Sequence, residues 1–110
     1  MKHSALEMSL LLDYYGELLT EKQKTCFDLY YNQDLSLSEI AEEAGISRQG
    51  VHDFLARAEA ILLDLESKLG CVEKAQHLHE QLRIISRAAE EISTLPQAKQ
   101  ILDAVHSIEE

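Results

Sequence analysis

The sequence is short of positive charge. Its 110 residues include 10 lysines and arginines against 20 aspartates and glutamates, which gives a formal net charge of −10. Proteins that bind nucleic acids usually present a basic surface, because neutralisation of phosphates supplies most of their non-specific affinity. The charge balance therefore counts against tight stand-alone binding to a duplex.

Cysteines and long apolar runs are also scarce. Two cysteines, Cys26 and Cys71, are too few for the disulfide scaffold of a small secreted domain, so we expect reduced thiols in a reducing compartment. The apolar runs extend over only a few residues, far from the ~20 needed to span a bilayer. Residues 1–4 lead straight into an amphipathic pattern rather than a basic, hydrophobic leader. We therefore expect a soluble, cytoplasmic protein without a membrane partner.

The sequence lacks the usual patterns of a catalytic or metal site. Its four glycines are isolated, so there is no phosphate-binding glycine loop, and it has no nucleophile elbow or paired-carboxylate arrangement. His77 and His79 are two residues apart and would point in different directions on a helix. With Cys71 nearby they still lack the spacing of a four-ligand zinc site. We expect no enzyme activity, no cofactor and no metal.

Helices are favoured over strands, because the chain has a single proline and its β-branched residues do not alternate. Capping signals divide it into about six helices. Capping boxes begin at Ser4, Thr20 and Ser36. Ser47 is the expected N-cap of a long fourth helix that ends at Gly70. The apolar face of the first helix is expected to contain Leu6, Leu10, Leu11, Tyr14, Tyr15 and Leu18.

The segment from about Ser36 to Arg57 has the pattern of a helix-turn-helix. Gly45 suits the turn, Ala41 is small where two helices cross, and Ser47 caps the second helix. The shared core is expected to contain Ile40, Ala44, Ile46, Val51 and Phe54.

Burial of Val51, Phe54 and Ala58 would leave the opposite side of the second helix exposed, since successive residues rotate by about 100°. The outward residues are then Arg48, Gln49, His52, Asp53, Ala56 and Arg57. The first turn of a recognition helix usually meets base edges, where arginine suits guanine and glutamine suits adenine. We predict a nucleic-acid-binding site at Ser47, Arg48, Gln49, His52 and Arg57. The alternative is a solvated polar face on a tri-helical core.

The charge around this site opposes nucleic-acid binding. Between Thr20 and Gly70, five basic residues stand against ten acidic ones, a net charge of −5. Asp53 and Glu59 flank the predicted site, where their carboxylates would repel phosphate. Binding to DNA therefore stays an open question at this point.

Beyond Gly70 the apolar spacing becomes that of a heptad seam. The seam contains Ala75, Leu78, Leu82, Ile85, Ala89 and Ile92. Pro96 then starts a last amphipathic helix. The seam either packs on the chain's own helices or forms a homodimer, and both hold if a helical hairpin buries one face internally and another in a dimer. We expect a helix-turn-helix domain at residues 1–70 and a C-terminal helical extension at residues 71–110 that packs or dimerises.

The stretch from Leu19 to Leu69 resembles region four of bacterial sigma factors. The resemblance rests on Leu19-Thr20-Glu21-Lys22-Gln23, Leu29-Tyr30-Tyr31, Ser38-Glu39-Ile40-Ala41 and Gly45-Ile46-Ser47-Arg48-Gln49-Gly50-Val51. It implies an all-α, tri-helical helix-turn-helix core with a long recognition helix, followed here by a C-terminal helical hairpin. The chain departs from that region by lacking a basic recognition helix, and this departure counts against recognition of a promoter element.

Over its whole length the chain is similar to the small YlxM family. The match rests on the Tyr14-Tyr15 helix, residues 19–23, Leu29-Tyr30-Tyr31 and residues 46–51, and beyond residue 69 on length and helicity alone. The resemblance implies a non-enzymatic helix-turn-helix protein encoded beside the signal recognition particle GTPase genes. It further implies an accessory or regulatory role in that pathway, with the particle's protein or RNA as partner. A DNA-binding transcriptional regulator is the alternative.

Overall fold

The computed structural model describes residues 4–109, and every regular element in that range is helical. In chain order these are α1 (Ala5–Tyr15), a 3₁₀ turn (Gly16–Leu18), α2 (Glu21–Tyr31), α3 (Leu37–Ala44), α4 (Arg48–Leu69), α5 (Cys71–Glu91) and α6 (Pro96–Glu109). The predicted all-α fold is confirmed. The helices belong to two compact units, Met1–Val72 and Glu73–Glu110.

Side-chain caps start the helices where the sequence predicts them. Thr20 Oγ1 accepts the Gln23 N–H at 3.2 Å, and Gln23 Oε1 accepts the Thr20 N–H at 3.0 Å. Ser36 and Glu39 form the same reciprocal pair, with both hydrogen bonds at 3.1 Å. At α1 one of the two bonds of the predicted capping box is present, in which the Ser4 side chain accepts the Glu7 N–H at 3.1 Å. Each cap satisfies backbone donors that the first turn of a helix leaves unpaired.

Glu39 makes one of these caps sensitive to acid. The Ser36 N–H, together with the Ser36 side chain, holds the pKa of the Glu39 carboxyl below its ordinary value of 4.5. A carboxyl whose pKa is lower in the folded state stabilises the fold at pH values above its pKa in the unfolded chain. This contribution is lost as pH falls through its pKa in the folded state. We predict that Glu39→Gln slightly lowers the free energy of unfolding at neutral pH, and that this difference disappears as pH falls through the folded-state pKa of Glu39.

Urea unfolding at a series of pH values checks this prediction. Glutamine still accepts the backbone hydrogen bond, so the comparison isolates the charge. A difference between the two proteins that stays constant across the pH range would contradict it.

Two glycines in left-handed conformations end helices. Gly45 has φ 70° and ψ 29°, and its N–H donates to the Ala41 carbonyl at 3.0 Å. Gly70 ends α4 with φ 63°. Other L-residues adopt this conformation only at a cost. Gly45 thereby makes the turn of the helix-turn-helix as predicted.

The core of the Met1–Val72 unit lies between α1, α2, α3 and α4. The most deeply buried large side chains are Met8, Leu11, Phe27, Ile40, Val51, Leu55 and Leu62. The buried positions of α4 recur at helical spacing, at residues 51, 55, 58 and 62. This stripe holds α4 against the three preceding helices and turns its opposite side outward.

Three of the five residues predicted for the core of the helix-turn-helix are not fully buried. Ile40 and Val51 are fully buried, whereas Ala44 is exposed, Ile46 is 37% exposed and Phe54 is only half-buried. Phe54 sits at the edge of the α4 stripe, because one residue's rotation separates it from buried Leu55. Ala44 and Ile46 flank the left-handed glycine, where the chain leaves the helix-packing interface.

The apolar face of α1 also differs from the prediction. Leu11 and Tyr15 are buried as expected, but Leu6, Tyr14 and Leu18 are exposed. Met8 and Leu12 are buried in their place. Apolar residues occur all round this helix, so the buried face is decided by contacts with other helices rather than by spacing.

Tyr15 ties α1 to the junction between α4 and α5. Its hydroxyl donates to Glu66 Oε1 at 2.6 Å and accepts the Cys71 N–H at 3.1 Å. The same carboxylate oxygen accepts the Val72 N–H at 3.1 Å. Burial, followed by the hydrogen bond to Glu66, raises the pKa of Tyr15 above its ordinary range. Two backbone donors at the start of α5 are thereby satisfied.

We predict that Tyr15→Phe destabilises this junction. The substitution removes the hydrogen bond to Glu66 and leaves the Cys71 N–H without its acceptor, so the midpoint of thermal unfolding should fall by roughly 4–8 °C. The neighbouring Tyr14 is half exposed on the same helix, which makes Tyr14→Phe a matched control. Circular dichroism melts of both variants check the prediction, and equal midpoints would refute it.

In the Glu73–Glu110 unit, α5 and α6 form an antiparallel hairpin. His79 Nδ1 on α5 lies 3.3 Å from Glu109 Oε2 at the far end of α6. The buried side chains of this unit are Leu82, Ala89, Ala98 and Val105. Within residues 4–109, no helix is both long enough and apolar enough to cross a membrane.

The predicted heptad seam is split between buried and exposed positions. Leu82 and Ala89 are buried and Ala75 is half-buried, whereas the alternate members Leu78, Ile85 and Ile92 are exposed. These three recur every seven residues along α5 and, for Ile92, in the turn that directly follows it; we term them the hairpin stripe.

Candidate nucleic-acid interface

The predicted site lies on the first three turns of α4. Ser47 Oγ accepts the Gly50 N–H at 2.9 Å, so this side chain is occupied in capping the helix. A methyl group at Gly50 would approach Ser47 Oγ to 3.2 Å, a tight contact that glycine avoids. Arg48 and Gln49 follow directly in the first turn, and both are exposed.

The outward side of α4 has the composition that the sequence predicts. We term it the recognition face, and it consists of Arg48, Gln49, His52, Asp53, Ala56 and Arg57, all exposed. Val51, Leu55 and Ala58 are buried behind it. The fold thus brings four of the five predicted site residues onto one accessible surface, with Ser47 at its start. Their role in binding nucleic acid stays a prediction.

Asp53 lies at the centre of the recognition face and holds two of its polar groups. Its Oδ1 accepts a hydrogen bond from Gln49 Nε2 at 3.1 Å and lies 3.6 Å from His52 Nδ1. The Gln49 amide would have to leave this carboxylate to donate the same N–H to a base. The prediction named Asp53 only as a repulsive charge. The four-residue spacing from Gln49 was the signal for a hydrogen-bonded pair on a helix.

Glu59 does not flank the recognition face as expected. It is buried, and its carboxylate accepts a hydrogen bond from the Tyr31 hydroxyl on α2. Burial and this hydrogen bond raise the pKa of Tyr31 above its ordinary range. One of the two carboxylates expected to repel phosphate therefore points into the protein.

The two arginines of the recognition face are available for an anionic partner. Among residues 4–109, neither Arg48 nor Arg57 forms an ion pair. With Glu59 turned inward, two guanidinium groups stand against the single carboxylate of Asp53. The recognition face is therefore locally basic on a protein whose total charge is −10.

The histidines of α5 are not brought into a metal-binding cluster. His79 pairs with Glu109, and His77 is exposed. Across the described part of the chain, no three histidine, cysteine or acidic side chains are grouped as metal ligands. Cys26 is buried, and burial raises the pKa of its thiol.

Comparison with known proteins identifies the family. Residues 2–104 match the UPF0122 family, described as "Putative helix-turn-helix protein, YlxM / p13 like". A UPF0122 protein of Thermoanaerobacter sp. (strain X514) is 44% identical over 108 residues, which cover 98% of this chain and 92% of that protein. A UPF0122 protein of Halalkalibacterium halodurans is 38% identical over 109 residues, which cover 99% of this chain and 100% of that protein. One of Clostridium kluyveri is 52% identical over 75 residues, 68% of each chain.

These matches extend past residue 69. The C-terminal hairpin therefore resembles its relatives in sequence, and not only in length and helicity. The chain belongs to the UPF0122 family of YlxM/p13-like helix-turn-helix proteins.

Proposed function

We propose that the chain is a non-enzymatic helix-turn-helix accessory protein that acts in the cytoplasm, in the signal recognition particle pathway. The observation that supports this most directly is the pair of unpaired arginines, Arg48 and Arg57, on an otherwise acidic protein. A ribonucleoprotein offers phosphates to the locally basic recognition face and a basic protein surface to the acidic remainder.

A binding assay with separate components tests the proposal. Fluorescence anisotropy measures the full-length chain against the particle's RNA, its GTPase and the assembled complex, at micromolar protein and moderate salt. We expect the complex to bind most tightly, with an affinity for RNA that falls as salt is raised. The proposal fails if none of the three associates.

A DNA-binding transcriptional regulator is the second candidate. It is favoured by the position of Arg48 and Gln49, in a first helical turn capped by Ser47, where recognition helices meet base edges. Selection from a random-sequence duplex library distinguishes the two candidates. Enrichment of a defined site would favour the regulator, and a library that stays random after repeated rounds would exclude it.

We further propose that the protein is a homodimer joined through the hairpin stripe. Leu78, Ile85 and Ile92 are exposed at heptad spacing on a two-helix unit in which four of the described side chains are buried. Isologous packing of two such stripes buries apolar surface that one hairpin leaves in water.

A further inference from the structure

A cavity of about 350 Å³ opens on the surface of the Met1–Val72 unit, at the turn of the helix-turn-helix. Its walls come from one side of α2, the end of α3, the turn that follows it and the second turn of α4. The apolar lining consists of Cys26, Leu29, Ala44, Ile46 and Phe54. Three of these are the residues that the helix-turn-helix pattern assigns to the core but that the fold leaves at the surface.

Apolar side chains in such a position cost free energy while they face water. Phe54 is half-buried and lies outside the buried cluster of the unit, and Ile46 is 37% exposed. Burying them against a partner would be favourable in proportion to the apolar area removed from water. A concave apolar surface of this size accepts roughly two bulky side chains, as when a helix presents residues i and i+4 to a groove.

The rim of the cavity is acidic. Glu21 on α2 and Glu43 on α3 contribute to it, with Lys22 as the one basic residue of the lining. Among residues 4–109, neither glutamate forms an ion pair. Helix α3 also ends here at Ala44, and the carbonyl end of a helix favours cations. The amino end of α2, which begins at Glu21, offsets this effect, so the excess of negative charge on the rim rests on two carboxylates against one ammonium group.

We infer that this cavity is a docking site for a basic amphipathic helix of another protein. The helix inserts two apolar side chains between α2 and α4, and its flanking lysines or arginines face Glu21 and Glu43. The cavity shares no residue with the recognition face, although Ile46 and Phe54 are chain neighbours of Ser47 and Asp53. The inference does not depend on what the recognition face binds.

Synthetic peptides test the site on the full-length chain. The probe is a 14-residue leucine–lysine peptide with leucines on one helical face, and its controls are a scrambled peptide of the same composition and a leucine–glutamate peptide with the same spacing. Dissociation constants come from fluorescence anisotropy, and the contact surface comes from amide shifts of ¹⁵N-labelled protein. We expect tight binding of the first peptide alone, with shifts centred on Ile46 and Phe54.

Two substitutions and a matched control locate the binding. Ile46→Asp and Ala44→Arg should each weaken binding of the leucine–lysine peptide about tenfold, by placing a charge in the cavity. Leu6→Asp adds the same charge at a position 73% exposed on α1 and should leave binding unchanged. Circular dichroism establishes that each variant is folded, and Ala44 is an exposed position that tolerates a long side chain.

Several results would overturn the inference. Equal binding of the scrambled peptide would mean attraction by net charge alone. Equal binding of the leucine–glutamate peptide would mean that the acidic rim has no part in recognition. Binding that survives both cavity substitutions but is lost on Ile85→Asp would place the peptide on the hairpin stripe instead.

Discussion

Ile85→Asp is expected to raise the dissociation constant of the proposed homodimer about 100-fold. Ile85 is the central member of the hairpin stripe, seven residues from both Leu78 and Ile92. In an isologous interface each substitution counts twice, so two apolar side chains are lost. Two carboxylates would also have to be buried next to each other, which adds desolvation and repulsion.

Ile84→Asp is a stringent control for this prediction. Ile84 neighbours Ile85 on α5 and is 50% exposed against 44%, but the helix turns it by about 100° away from the stripe. Sedimentation velocity across a concentration series compares both variants with the wild type. A wild type that stays monomeric at every concentration refutes the dimer, and equal dissociation of both variants refutes the assigned stripe.

The starts of the helices could be predicted from sequence because capping is local. A cap at Thr20, Ser36 or Ser47 needs only a partner three residues away, and each of these side chains makes the expected bond. Left-handed glycines at positions 45 and 70 are equally local signals. The all-α architecture and the order of its helices follow from such short-range rules.

The choice of buried face could not be predicted where apolar residues surround a helix. In α1 helical spacing permits several apolar faces, and packing selects the one that contains Met8 and Leu12 over the one that contains Leu6 and Tyr14. The burial of Phe54 was predicted wrongly for a related reason. It lies within one residue of the α4 stripe, so burial depends on how closely α2 and α3 approach it, which no local pattern records.

In the candidate site, too, local features could be predicted from the sequence and long-range contacts could not. The outward position of Arg48, Gln49 and Arg57 follows from helical period alone, once Val51 is buried. The inward position of Glu59 depends on Tyr31, which lies 28 residues earlier in the chain. A charge count along the sequence treats every carboxylate as exposed, so it underestimates how positive the recognition face is. Long-range pairing changes the local charge without changing the total.

The strongest test of the recognition face is a pair of substitutions with opposite effects. Arg48→Ala should weaken binding to the selected duplex or RNA by about 1–3 kcal/mol, because it removes a guanidinium from the turn that meets base edges. Asp53→Asn should strengthen binding about three- to tenfold at low salt, because it removes the one carboxylate of the face. It also weakens the hold of this side chain on Gln49 and His52.

Asp64→Asn is the matched control for the second substitution. Asp64 is an exposed carboxylate on the same helix, about three turns further on and paired with Lys68, so its loss changes the net charge equally without touching the recognition face. Anisotropy titrations at several salt concentrations compare the three variants, and the gain from Asp53→Asn should shrink as salt is raised. If Asp53→Asn and Asp64→Asn strengthen binding alike, only net charge matters and the recognition face has no specific role. If Arg48→Ala has no effect either, the nucleic acid binds elsewhere on the chain.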